Sequence, residues 1–462
     1  MPSPRELSAV QLGAAYRQRE LSPVDAVRDV IAHIERCEPQ LHATYAFDPE
    51  GALAAARASE LRWQRDEPLS ELDGVPGTLK ENIATRGVPM PIGCAATVLT
   101  PAAEDAPPAA RLREAGMVML AKTTMPDWGM LSSGLSSFHA LARNPWDLTK
   151  NPGGSSAGAG AAAAAGYGPL HVGTDIGGSI RLPAGWCGVF GLKPSLGRIP
   201  INPPYAGRVA GPMTRTVQDA ALMMQVLSQP DWHDAMSLPY QAIDWKDLNL
   251  DMRGMRLGLL MDAGWGDKLE PEIAAAVRAA ARAFEAAGAV VEPLAAFSTR
   301  EMFEGLDRFW RLRAWLEYAA MPQERQDKVL PYIRAWIDGA DAFSGAQVFH
   351  GYSQIGALRD AAVAASQPFD FVLSPVSPGA AFAAENASPR NDPRQPFEHI
   401  AFTLPYNMSE QPAASIDCGH TAAGLPIGLQ IAGKRHDDLG VLRLARAWER
   451  MRPTPRVWPA FN

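Results

Sequence analysis

Cysteine and histidine are scarce in this chain, and so are the chemistries that rest on them. The four cysteines in 462 residues, Cys37, Cys94, Cys187 and Cys418, stand far apart with no C-x-x-C pair. That pattern speaks against a thiolate zinc site and a disulfide framework. No metal or other cofactor is expected, and reduced thiols in a cytoplasmic setting are the default. Blocks of lysine and arginine are missing too, and the net charge is −7. Neutralising a phosphate backbone takes clustered cations, so no nucleic-acid partner is expected and a small substrate fits better. The N-terminal stretch carries Arg5 and Glu6 and lacks an apolar run of the kind a secretory leader has. Residues 151–174 contain no Asp, Glu, Lys or Arg, but they are mostly alanine and glycine interrupted by Pro152 and Pro169. A membrane span is therefore not expected either.

Several catalytic signatures are also absent, among them S-x-x-K, H-E-x-x-H, G-x-G-x-x-G and G-x-x-x-x-G-K-[ST]. The nine histidines are isolated; only His139 and His171 come near the most unusual stretch, and both read as structural. That stretch runs from Gly153-Gly154-Ser155-Ser156 to Thr174-Asp175-Ile176-Gly177-Gly178-Ser179-Ile180-Arg181. A serine after two glycines can serve as a nucleophile because the missing side chains let a carbonyl reach the backbone. Consecutive N–H groups can then converge on an oxyanion, which makes Ile176, Gly177, Gly178 and Ser179 the candidate oxyanion hole. If Ser179 attacks, a lysine is the remaining choice of base.

Around this stretch the chain reads as one α/β unit. Residues 1–65 form an N-terminal helical cover, with Ser22 capping a helix that starts at Pro23 and another helix over 50–64. Short apolar runs alternate with Gly/Pro turns and helices across a core of 70–225. Ala157 to Ala165 is a small-residue helix, Thr216 starts another, and Pro271 to Ala287 is a third. Strands are expected at Met117–Lys122, Arg256–Leu260, Ala289–Val291, Phe369–Leu373, Ala413–Cys418 and Ile427–Ile431. Residues 299–365 read as a helical, aromatic-rich substrate-side segment (Phe303, Phe309, Trp310, Trp315, Tyr318, Tyr332, Trp336); such a stripe is more often core than ligand pocket.

The blocks Gly74-Val75-Pro76, Lys80-Glu81-Asn82, Asn144-Pro145-Trp146, Pro152 to Ser156, Thr174 to Arg181, Gly191-Leu192-Lys193-Pro194 and Gly424 to Gln430, in this order, resemble the amidase signature family over nearly the whole chain. The resemblance implies a single amidase domain over 1–462 with a large mixed β-sheet covered by helices on both sides, and a homodimer as the expected assembly. It also implies a Ser–cisSer–Lys triad: Ser179 at the nucleophile position, Ser155 at the serine after a cis peptide bond, Lys80 at the general base. The gaps of 75 and 24 positions between them match those of at least some members. A lysine of ordinary pKa, ~10.4, would add ~4–5 kcal/mol to a barrier at pH 7 if used as a base. Burial away from acids removes that handicap. Asp175 and Arg181 read as an ion pair bracketing the nucleophile loop.

The chain departs from the family at Ala157 and Ala159, where glycine and serine are frequent, which puts the packing of that helix in question. Met130, Leu131 and Ser132 fall where members line the acyl pocket, and Leu131 replaces the glycine of amidotransferase subunits. The implied function is hydrolysis of a small, hydrophobic or aryl carboxamide through an acyl-enzyme. The alternative is the glutamine-hydrolysing A-type subunit of a tRNA-dependent amidotransferase, for which no Arg/Asp pair for glutamine can be assigned and the region Glu398-His399-Ile400 offers no clear match.

Overall fold

The alternation that begins near residue 70 becomes an eleven-stranded sheet in the computed structural model, which describes residues 3–452 and 458–459. The outermost positions of the expected 1–462 domain, 1–2, 453–457 and 460–462, lie outside the described residues. The strands are β1 (Thr44–Tyr45), β2 (Pro76–Lys80), β3 (Val118–Thr123), β4 (Leu170–Asp175), β5 (Phe190–Lys193), β6 (Val209–Thr214), β7 (Arg256–Leu260), β8 (Val290–Leu294), β9 (Phe371–Pro375), β10 (Ala413–His420) and β11 (Pro426–Ala432). Their spatial order is β1-β3-β2-β4-β6-β5-β10-β11-β9-β7-β8. Two parallel groups, β3-β2-β4 and β9-β7-β8, are joined through antiparallel β6, β5, β10 and β11. The sheet is mixed, as the resemblance implied.

Both faces are covered because side chains alternate along each strand. Ala414, Ile416, Leu429, Ile431, Phe371 and Leu373 enter the cluster built on the helices Val217–Leu227, Pro271–Ala286 and Asp438–Met451. Ala413, Ala432 and Val372 face the other way, toward the helix Arg300–Ala319 and the segment 397–408. Near the N-terminus, Ser22 accepts a hydrogen bond from the Val24 N–H and caps the helix Pro23–Leu41, and the helix Pro49–Gln64 follows. No helix among the described residues is long and apolar enough to cross a membrane.

The helix Ala157–Ala165 lies wholly buried between β3, the N-terminal cover and the helix Arg181–Cys187. Alanine at 157 and 159 leaves it intact; the close approach occurs instead at Gly158. A Cβ there would collide with the Ala43 carbonyl oxygen and stand 2.5 Å from the Thr124 nitrogen. Both are backbone atoms that cannot swing aside. Gly158→Ala is therefore expected to destabilise the fold by about 2 kcal/mol, because overpacking outweighs the helix-propensity gain of at most ~1 kcal/mol. A lowered thermal midpoint checks this.

Candidate active site

Strands β2 and β4 run parallel, with Gly77 opposite Leu170 and Leu79 opposite Val172, so their carboxyl ends open on the same edge of the sheet. Such an edge is where α/β sheets bind ligands. Lys80 ends β2 and Asp175 ends β4. The connection through Pro152 to Ser156 crosses these ends before the helix at Ala157, and the Gly154–Ser155 peptide bond is cis. The Ser156 N–H donates to the Ser179 carbonyl at 3.1 Å, which ties the two serine segments together.

The Lys80 amine is fully buried, 2.7 Å from Ser155 Oγ, 3.0 Å from Thr174 Oγ1 and 3.1 Å from Ser156 Oγ. Burial holds its pKa well below that of an ordinary lysine, nearby Arg208 pushes in the same direction, and Asp175 and Glu81 oppose. Glu81 is itself turned onto His139, 2.7 Å from Nε2. Once Lys80 is neutral, it has two N–H groups and one lone pair to place among three hydroxyls. Ser156 Oγ already donates to the Thr174 carbonyl, at 3.1 Å, so toward Lys80 it can only accept. Thr174 Oγ1 accepts from Asn82 Nδ2 at 3.1 Å. The lone pair of a neutral Lys80 then faces two hydroxyls with protons to give, Ser155 Oγ, the shortest contact, and Thr174 Oγ1.

The loop after β4 is held from below. Arg181 and Asp175 form a two-pronged ion pair, Nη2 to Oδ1 and Nε to Oδ2, both 3.0 Å, with both side chains sealed from solvent. Burial pushes the Asp175 carboxyl up, but Arg181, Asn407 and the Ile180 N–H outweigh it and hold it below the usual carboxylate range. Its oxygens also accept the backbone N–H of Gly178, at 2.8 Å, and of Ile180, at 3.0 Å. That corrects one expectation. The Gly178 N–H is engaged by Asp175 and is not free for an oxyanion, whereas those of Ile176, Gly177 and Ser179 donate to no acceptor among the described residues. Gly178 is needed for its backbone: φ is +133°, and a Cβ would sit 2.5 Å from Thr403 Oγ1.

Ser155 and Ser179 face a cavity of about 490 Å³, together with Ile176 and Gly177. Met130, Leu131 and Ser132 stand in its wall. Of the seven aromatics between 303 and 336 only Trp310 lines it; Trp128, Tyr205 and Phe397 supply the rest of the aromatic wall. Phe303 and Trp336 pack edge-on against Phe397 within the core.

The family model for amidases matches residues 25–442. The chain belongs to the amidase family. As a member it is a hydrolase of C–N bonds. It is 35% identical over 474 residues to the A-type subunit of the glutamyl-tRNA(Gln) amidotransferase of Myxococcus xanthus, covering 96% of this chain and 97% of that protein. It is 33% identical over 468 residues to an acylamidase of Rhodococcus erythropolis, covering 98% and 97%. Among solved structures it is similar to a bacterial aryl acylamidase of the amidase signature family, with a TM-score of 0.88, 29% identity and coverage of 97% and 96%.

Four groups at this amidase-family site went unread in the sequence. Ser156 and Thr174 lie inside the serine–glycine stretch but show their part only through the hydrogen bonds of Lys80. Asn82 follows the lysine block directly, and its Oδ1 is buried without a partner among the described residues. Arg208 belongs to no motif at all.

Proposed function

We propose that the chain hydrolyses small carboxamides with an apolar or aryl body, through an acyl-enzyme on Ser179. Ser179 gives its proton to Ser155 while attacking the carbonyl carbon, and Ser155 passes its own proton to Lys80. The oxyanion is received by the N–H groups of Ile176, Gly177 and Ser179. The proton on Lys80 returns through Ser155 to the leaving nitrogen, and water then frees the carboxylate product. The observation that carries this reading is the setting of Lys80: its buried amine lies within hydrogen-bond distance of three hydroxyls, and the shortest contact, 2.7 Å, is to Ser155 Oγ, which lines the cavity beside Ser179. The apolar and aromatic walls around Leu131, Trp128 and Trp310 support the substrate class.

Fluorophosphonate labelling followed by peptide mass mapping tests the chemistry. The adduct is expected on Ser179 and is expected to vanish in Ser179→Ala; an adduct that persists in that variant places the nucleophile elsewhere. A panel of amides then tests the substrate. Anilides and hydrophobic amides should exceed acetamide in kcat/KM by about 10-fold or more, since each methylene buried in an apolar pocket contributes ~1 kcal/mol or more.

The second reading, a glutamine-hydrolysing component of an amidotransferase, is favoured by the identity to the Myxococcus protein. Against it, the carboxylate of Glu398 is closed off by Arg300, with Nη1 to Oε1 at 2.6 Å and Nη2 to Oε2 at 2.7 Å. Ammonia release from glutamine alone, with copurifying partner proteins, would favour this second reading over the first.

A further inference from the structure

The cavity wall carries a guanidinium, Arg208, that the proposed relay leaves unused. Arg208 immediately precedes β6, and β6 pairs antiparallel with β4 so that Asp175 faces Val209. Extending that register by one residue sets Arg208 across from Ile176, one strand spacing (~4.8 Å) from the loop that carries the free N–H groups. Its side chain lines the cavity beside Ser155, Ile176, Gly177 and Ser179. Its hydrogen bond is to a neutral acceptor, Nη1 donating to the Pro203 carbonyl at 3.1 Å.

No acid balances this guanidinium among the described residues. Asp175, on the neighbouring strand, is taken up by Arg181. Glu317 stands 3.8 Å from Arg313, whose guanidinium lies 4.6 Å over the Tyr205 ring. Arg313 is itself a cation and, after burial, the second influence that pulls the Arg208 pKa down, to about 10. Arg208 remains protonated at neutral pH. Arg208 is part-buried with no counter-ion among the described residues, and a planar fork of N–H donors is matched best by a carboxylate, which it can grip with two parallel bonds.

We propose that Arg208 anchors a carboxylate carried by the substrate, so that the preferred amide joins an apolar or aryl body to an anionic group a few bonds from the scissile carbonyl. This rests on the hydrolase reading above and narrows it. Arg308 and Arg311 of the helix Arg300–Ala319 lie over Phe343 and do not line this wall, which leaves Arg208 and the Glu317-tethered Arg313 as its cations.

Two matched pairs of anilides test the proposal from either side of the amide. N-phenylsuccinamate is compared with isocaproanilide, which has an isopropyl group in place of the carboxylate, and para-acetamidobenzoate with para-isopropylacetanilide. The wild-type protein is expected to prefer the anionic member of at least one pair by about 10- to 100-fold in kcat/KM. The responding pair tells whether the carboxylate sits on the acyl or the amine side. Arg208→Gln is expected to abolish that preference, mainly through KM, and Arg208→Lys to keep part of it. Because both members of a pair are measured on one preparation, any loss of folded protein cancels in the ratio. Two results overturn the proposal while leaving the hydrolase reading standing: cleavage of the neutral anilides without an anionic preference, or an equal loss on both members in Arg208→Gln. The latter would make Arg208 an oxyanion stabiliser. Cleavage of none of the four by the wild type overturns the hydrolase reading and the anchor with it.

Discussion

Lys80→Met is expected to lower kcat by about a thousandfold while the protein stays folded and becomes more stable at neutral pH. The loss follows from the proposed relay, in which the amine that receives the Ser155 proton disappears; general bases contribute ~10²–10⁴-fold. Retention of fold follows from the hydrogen bonds. Ser156 keeps the Thr174 carbonyl and N–H as partners, and Thr174 Oγ1 keeps Asn82. Methionine fills nearly the same space with no charge to desolvate.

The stability change has a defined sign. The folded pKa of Lys80 lies below its unfolded value of ~10.4, so between the two the unfolded chain binds more protons and wild-type stability rises with pH. Below the folded pKa the ammonium is charged inside the protein and the whole penalty is present. The advantage of Lys80→Met is therefore largest at low pH and fades as pH rises toward ~10.4. Lys122 and Lys193 are also buried, with pKa values pulled to about 7, and titrate alike in both proteins, so their contributions cancel in the comparison. Activity retained near the wild-type level at pH 7 would place the base elsewhere. A variant that is inactive and also less stable would show that Lys80 holds the fold together.

Of the three residues of the proposed relay, Ser155 and Ser179 stood out in the sequence as serines among glycines, whereas Lys80 was assigned only by the resemblance of its block to the amidase signature family. The start of the helix at Pro23 was legible from its Ser22 cap, and Ala157–Ala165 and Arg256–Leu260 from their small-residue and apolar runs. Strand β6 was not, because Gly211-Pro212 reads as a turn. It survives as a strand because its ladder to β5 covers only Met213 and Thr214 and ends short of the proline. Losing β6 meant losing Arg208, whose place at the cavity comes entirely from the β4–β6 register. The Gly178 N–H was misjudged for a related reason. Composition marks a glycine loop as able to bind an anion, but only the fold shows that one of its donors is already held by Asp175. The aromatic stripe at 303–336 gives the cavity one ring, Trp310, while Trp128, Tyr205 and Phe397 come from segments with little aromatic signal.

Arg181→Met is expected to cost about 3–5 kcal/mol of stability and most of the activity, because it strands a buried charge. All five guanidinium N–H donors of Arg181 are matched: two by Asp175, and the others by the Thr403 carbonyl at 2.7 Å, Gln430 Oε1 at 2.8 Å and Asn407 Oδ1 at 2.5 Å. Removing them leaves Asp175 uncompensated under the nucleophile loop. The double variant Arg181→Met with Asp175→Leu separates the two consequences. Replacing both charges with apolar groups should recover much of the stability, since a buried ion pair and a packed apolar pair differ little in net free energy. It should not recover activity, because Gly178 and Ile180 lose the acceptor that fixes their N–H groups and hence the position of Ser179. Denaturant midpoints and kcat on one anilide, measured for the single and double variants, check both halves. Activity returning together with stability in the double variant would mean that the pair serves the fold alone. Stability returning without activity assigns Asp175 to the posture of the loop.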